Sequence, residues 1–193
     1  NGPVPTGLVF ADALQDTIRA ADRDGLAGWI VDLRGNTGGN MWPMMAGVGP
    51  VLGEGVAGFF IDPDGLERVW GYRDGIAWID ATDVQRVTSA YTLKRAQPRV
   101  ALLTNRRVSS SGEAMTVAFR ARPDTRSFGT GTCGVSTANR AFTLSDGATL
   151  QLTVAVMADR SRTQYGGVVE PDEVIPDPGA VVPRAIAWLR EGR

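Results

Sequence analysis

The sequence predicts a mixed α/β fold, with helices flanking a mixed β-sheet and hairpins extending it, and three features carry that expectation. Residues 28–33 and 99–104 are short, nearly continuous apolar runs, the pattern of strands covered on both faces. Residues 56–79 and 141–157 are strand-like stretches broken by Asp/Gly turns, the pattern of hairpins. Leu14, Ile18 and Ala21, and later Ala114, Val117 and Ala118, recur at helical spacing.

The elements follow in order. Asn1 to Gly7 is irregular, and a helix beginning near Phe10 interleaves Asp12, Gln15, Asp16 and Arg19 with its apolar positions before a stop at Gly25. Gly28 to Leu33 is expected as a strand in the middle of a sheet, followed by the glycine-rich turn Arg34 to Asn40. Met41 to Leu52 is apolar and helical at its start, where Pro43 is tolerated in a first turn. A meander comes next: Val56 to Ile61, Glu67 to Tyr72 and Ile76 to Ile79, separated by turns at 62–65 and 73–75. Then come a second buried strand at 99–104, a helix from Glu113 to Arg122 and a strand at 125–128. The chain finishes with a hairpin of 141–144 against 149–157 and a short helix from Arg184 to Arg190. No linker or repeat interrupts it, so residues 1–193 read as one domain, with ligands expected where loops leave the C-terminal ends of the strands.

Composition narrows the function classes. With 43% hydrophobic and 21% charged residues and a formal net charge of -1, the chain can bury a sizeable core. Its positive charge is scattered arginine, unlike the clustered field that binds phosphate backbones, so no nucleic-acid partner is expected. No apolar stretch approaches the roughly 20 residues of a membrane-spanning helix. One cysteine and no histidine exclude an internal disulfide and the CxxC and HExxH zinc spacings; carboxylates could still hold a hard cation, but neither metal nor cofactor is expected.

Three segments could carry chemistry. Val108-Ser109-Ser110-Ser111-Gly112-Glu113-Ala114 follows the second buried strand. Read locally, Ser-x-x-Glu across 110–113 is a capping box. Read chemically, a strand-to-helix turn presents Ser110 at the positive end of a helix, whose free amides can hold an oxyanion. The turn Asp32 to Asn40 has neither the P-loop nor the dinucleotide spacing; its Gly38-Gly39 pair either relieves a positive φ or bares amides beside a reacting carbonyl. Tyr165 to Asp172 reads as a turn and a solvated extended segment. A serine hydroxyl needs a base, and only Lys94 is present besides arginine and carboxylates.

Taken in order, residues 28–39, 100–105 leading to 109–114, 144–150 and 169–172 resemble the tail-specific or C-terminal processing proteases, peptidase family S41. The resemblance implies a ClpP/crotonase-like core, serine peptidase activity, and unfolded or C-terminal peptide substrates bound by strand addition. It implies Ser110 as nucleophile, the Ser111 amide as one oxyanion donor and Gly38 or Gly39 as the other. The lysine base of one branch falls at Val135 and its companion glutamine at Asn139, so a Ser-Lys mechanism is set aside. The chain is more similar to the histidine-using, tricorn-like branch, although Val4 to Gly7 holds no histidine and Tyr165 stands at the supporting glutamate. No PDZ module is expected. The expectation is therefore a catalytic core lacking upstream segments and its base; the family resemblance favours secreted or periplasmic placement, and the sequence itself leaves cytoplasmic placement open. Two alternatives remain: an inactive ligand- or peptide-binding module and, with less support, a crotonase-like acyl-CoA enzyme.

Overall fold

The computed structural model describes residues 6–191. Helix α1 (Thr6–Ala21) starts earlier than expected, and the residues before it lie outside the described part. A four-stranded parallel sheet runs in the order β1 (Trp29–Asp32), β6 (Val100–Thr104), β7 (Thr125–Gly129), β10 (Glu173–Val174). A six-stranded antiparallel sheet runs β5 (Thr82–Arg86), β4 (Ile76–Ile79), β3 (Glu67–Arg73), β2 (Gly55–Ile61), β9 (Thr149–Asp159), β8 (Thr137–Thr143). Helices α2 (Met41–Leu52), α3 (Ser111–Phe119) and α4 (Pro178–Glu191) complete the order. This is the mixed α/β arrangement expected.

The continuous apolar run of β6 has a direct cause. Val100 and Leu102 point into the main core with α2 and α3, whereas Ala101 and Leu103 point the other way, onto Phe128 and the α4 residues Val181, Ala185, Trp188 and Leu189. Both faces are covered, so no polar alternation survives.

β1 departs from expectation: among the described residues it is an edge strand, paired only with β6. Its apolar residues are half-buried while its hydrogen-bonding edge is open, and a run of apolar residues reports the first of these and not the second. An apolar cavity of about 360 Å³ lies between β1 and α1, lined by Leu14, Ile18, Trp29, Val31, Met44 and Met115 among others.

Helix α2 continues to Leu52 despite Gly47, Gly49 and Pro50. The glycines permit close approach, since a Cβ on Gly47 would stand 3.0 Å from Leu14 and one on Gly49 would fall 2.0 Å from the Tyr72 ring. Helix α3 is shorter than the expected 113–122. It opens at Ser111, and Arg120 turns to extended backbone (φ -67°, ψ 147°). Arg122 is then free to point inward and donate to the carbonyls of Leu52, Pro98 and Pro123. Strand β8 begins four residues before the expected 141, helix α4 is longer than expected, and β5 and β10 were not anticipated. Among the described residues no helix is long and apolar enough to cross a membrane.

Candidate active site

β1 and β6 lie side by side in parallel, Asp32 opposite Leu103, so the loops that follow them emerge at the same end of the sheet. Asn36 joins the two loops. Its carbonyl accepts the Ser109 amide (3.0 Å) and its side-chain Oδ1 accepts the Gly38 amide (3.0 Å). Gly112 allows the approach, for a Cβ there would stand 2.6 Å from the Asn36 carbonyl oxygen.

The serine triplet divides its work by position. Ser109 Oγ donates to the Thr37 carbonyl and Ser111 Oγ to the Gly39 carbonyl, each at 2.8 Å. The flanking serines therefore stitch the serine turn to the glycine turn; their small size serves the chain's own backbone. Ser110 between them makes no side-chain cap hydrogen bond. Its backbone sits at φ 52°, ψ -118°, a conformation that L-residues rarely adopt and that persists only when the surroundings impose it.

The capping box forms unevenly. Glu113 Oε2 accepts the Ser110 amide at 2.9 Å, whereas the Ser110 hydroxyl only approaches the Glu113 amide. Glu113 is fully buried, and also accepts from Thr132 Oγ1 (2.6 Å), the Gly134 amide (2.8 Å) and the Val135 amide (3.0 Å). Sequence reading found the Ser-x-x-Glu pair but not these contacts, which cross about twenty residues and leave no local signal.

Ser110, Ser111 and Gly38 are adjacent in space. A Cβ built on Gly38 would lie 3.0 Å from the Ser110 Cβ and 3.2 Å from the Ser111 amide nitrogen. Both glycines have positive φ, 100° at Gly38 and 114° at Gly39. Their amides differ: that of Gly38 is taken by Asn36, whereas none of the loop hydrogen bonds uses that of Gly39. The Ser111 amide, at the first position of α3, has no intrahelical acceptor.

Among the described residues, none of the groups weighed as a base is placed to serve Ser110. Lys94 is paired with Asp24 (3.8 Å) before β6, separated from the serine turn by about 13 Å of strand. Tyr165 donates to Asp159 (2.8 Å), and its pKa is pushed up to about 12, chiefly by burial, so the phenol holds its proton at neutral pH. Val135 fills its position with an exposed hydrocarbon side chain. Asn139 is on β8, where its Oδ1 accepts the Thr153 hydroxyl (3.0 Å). Among the described residues no cluster of three or more His, Cys, Asp or Glu could hold a metal ion.

Residues 8–175 match peptidase family S41. The chain belongs to this family. It is 29% identical over 156 residues to the nisin-resistance protein of Lactococcus lactis subsp. lactis, covering 81% of this chain and 47% of that protein. It is 29% identical over 145 residues to the carboxy-terminal processing protease CtpA of Bacillus subtilis (strain 168), covering 75% of this chain and 28% of the relative. The chain thus spans less than half the length of these two relatives. Among solved structures, a lipoprotein from Streptococcus agalactiae superposes with TM-score 0.76 at 26% identity, covering 97% of this chain and 62% of that one. The photosystem II D1 C-terminal processing protease superposes with TM-score 0.66 at 21% identity over 87% of this chain and 39% of its own, a likeness of fold.

Proposed function

We propose that this chain is the core of a serine peptidase that cleaves unfolded or C-terminal peptide segments by acyl transfer through Ser110. The observation that carries the reading is the strained Ser110 set between two serines whose hydroxyls are both engaged by the glycine turn. A residue that served only as a helix cap would have no need of a positive φ.

In this reading Ser110 Oγ attacks the peptide carbonyl carbon, and the Ser111 and Gly39 amides hold the tetrahedral oxyanion. Gly38, whose amide is engaged by Asn36, shapes the turn rather than donating. Collapse of the intermediate expels the amine, which takes up the proton lost by the serine, and water then releases the acyl group. The proton needs a carrier, and the 193 residues contain no histidine. The reading therefore places the general base, a histidine by family resemblance, outside this sequence.

Hydrolysis of an unfolded protein by the complete polypeptide tests this, with Ser110→Ala as the control. That substitution should lower turnover by on the order of 10⁴ to 10⁶. The 193-residue chain alone should show negligible turnover. Robust cleavage by it, abolished by Ser110→Ala, would mean that another group serves as base. The missing base also favours a second reading, a non-catalytic peptide-binding module, and peptide binding by the complete polypeptide without any cleavage would select it.

A further inference from the structure

Glu113 does more than close a capping box. Its carboxyl group is fully buried, and every hydrogen-bonding partner around it is a donor: the amides of Ser110, Gly134 and Val135 and the hydroxyl of Thr132. An acceptor-only carboxylate suits that ring of donors, and charge-assisted bonds of this kind are the stronger class. The group it holds at Oε2 is the amide of the residue whose φ is 52°. The groups it holds at Oε1 belong to the loop that leads into β8. One side chain thus fixes the backbone of the serine turn relative to the neighbouring loop.

We infer that Glu113 is a positioning residue for catalysis: its carboxylate holds Ser110 in the strained conformation that aims the hydroxyl, without itself touching the reacting atoms. The inference rests on the nucleophile reading of Ser110 above. Other contacts hold the residues on either side: Ser109 and Ser111 are tied to the glycine turn through their own hydroxyls, and the Ser110 carbonyl accepts the Ala114 amide (3.0 Å), whereas the Ser110 amide itself is held by Glu113.

Glu113→Gln is the informative change, being the same size with one accepting oxygen. That oxygen goes to the Oε1 side, where Thr132, Gly134 and Val135 donate, and the NH₂ then faces the amides of Ser110 and Val135, both of which donate to Oε2 in the wild type. The turn loses its holder, while the loop keeps the Thr132 and Gly134 bonds and the longer of the two from Val135. Misplacement of a reacting group by about 1 Å costs on the order of 10²-fold in rate, so kcat should fall by about that factor with KM within a few-fold of wild type. Thr132→Val removes one contact at Oε1 and leaves the Ser110 bond, so it should lower Tm with kcat nearly retained.

Two measurements settle it. In the complete polypeptide, well below Tm, kcat and KM are compared for wild type, Glu113→Gln, Thr132→Val and Ser110→Ala. Amide hydrogen exchange at Ser110, followed by NMR, needs no activity and can be done on this chain: the wild-type amide should be protected, and Glu113→Gln should accelerate its exchange at least tenfold. A wild-type Ser110 amide that exchanges as fast as an open loop overturns the inference, whether or not the variant folds. So does an unchanged kcat in Glu113→Gln, or equal kcat losses in Glu113→Gln and Thr132→Val. If Ser110→Ala retains full turnover, the nucleophile reading fails instead, and the exchange data still report whether Glu113 holds the turn.

Discussion

Ser110, at φ 52° and ψ -118°, has a Cβ where the backbone geometry suits glycine, so the native state carries strain there. Replacing the serine with glycine should relieve it and raise stability by about 1 kcal/mol while removing activity. Thermal melts decide, and a lower Tm for Ser110→Gly would show that the conformation is not strained. The two glycines opposite should separate from each other. An alanine at Gly38 would push its Cβ to 2.9 Å from the Ser109 carbonyl oxygen, so Gly38→Ala should cost both Tm and turnover. Gly39 has open space around it, and the cost of Gly39→Ala should be limited to the positive φ, about 1 to 2 kcal/mol. If the Gly39 amide is an oxyanion donor, its displacement lowers kcat by a further 10² to 10³, roughly, with little change in KM. Undiminished kcat in Gly39→Ala would remove it from that role. The triplet and the glycine pair are legible in sequence because they are local. The bonds that assign each serine its task run between residues 72 positions apart and cannot be read there.

Elements show the same division. The Asp/Gly turns that separate the strands of the meander and the helical spacing of α1 are properties of short windows, and the sequence reports them. β5 is Thr-Asp-Val-Gln-Arg, mostly exposed and with no apolar alternation, and exists because β4 offers it an edge. The edge position of β1 is likewise invisible, since it depends on which strands are neighbours. Helix α2 is the clearest case of tertiary override: Gly47, Gly49 and Pro50 all disfavour a helix, yet the segment is helical because the glycines admit α1 and the Tyr72 ring. Gly49→Ala should therefore behave unlike a helix-interior glycine elsewhere. Propensity alone would gain about 1 kcal/mol, but the new Cβ falls 2.0 Å from the ring, and overpacking of this kind costs about 1 to 3 kcal/mol or more. Net destabilisation in chemical denaturation is the expected result, and a stabilised Gly49→Ala would mean that the ring has room to move.

At the scale of the whole molecule, the segment after the second sheet returns to the first, where β10 pairs with β7 and one carboxylate just before β10 adds a polar anchor. Asp172 accepts the amide (2.8 Å) and hydroxyl (2.7 Å) of Ser127 on β7 and pairs with Arg120 (2.7 Å) just past α3. Burial alone would raise its pKa, but the Ser127 hydrogen bonds and the Arg120 charge outweigh it, and the carboxyl is held below the usual range. A depressed folded-state value fixes the sign of the linkage: the ionised form contributes stability above the unfolded pKa of about 3.9, and that contribution is lost as pH falls through the lower folded value. Asp172→Asn removes the charge at every pH. Its Tm should therefore lie below wild type at pH 7, and the gap should hold down to about pH 4 and close below it. Other carboxylates titrate in both proteins and cancel in the difference. Melting curves of the pair between pH 7 and pH 2 provide the check: a gap that persists undiminished to pH 2 would mean that the Asp172 contribution is independent of ionisation and that the Arg120 charge is not what holds the segment.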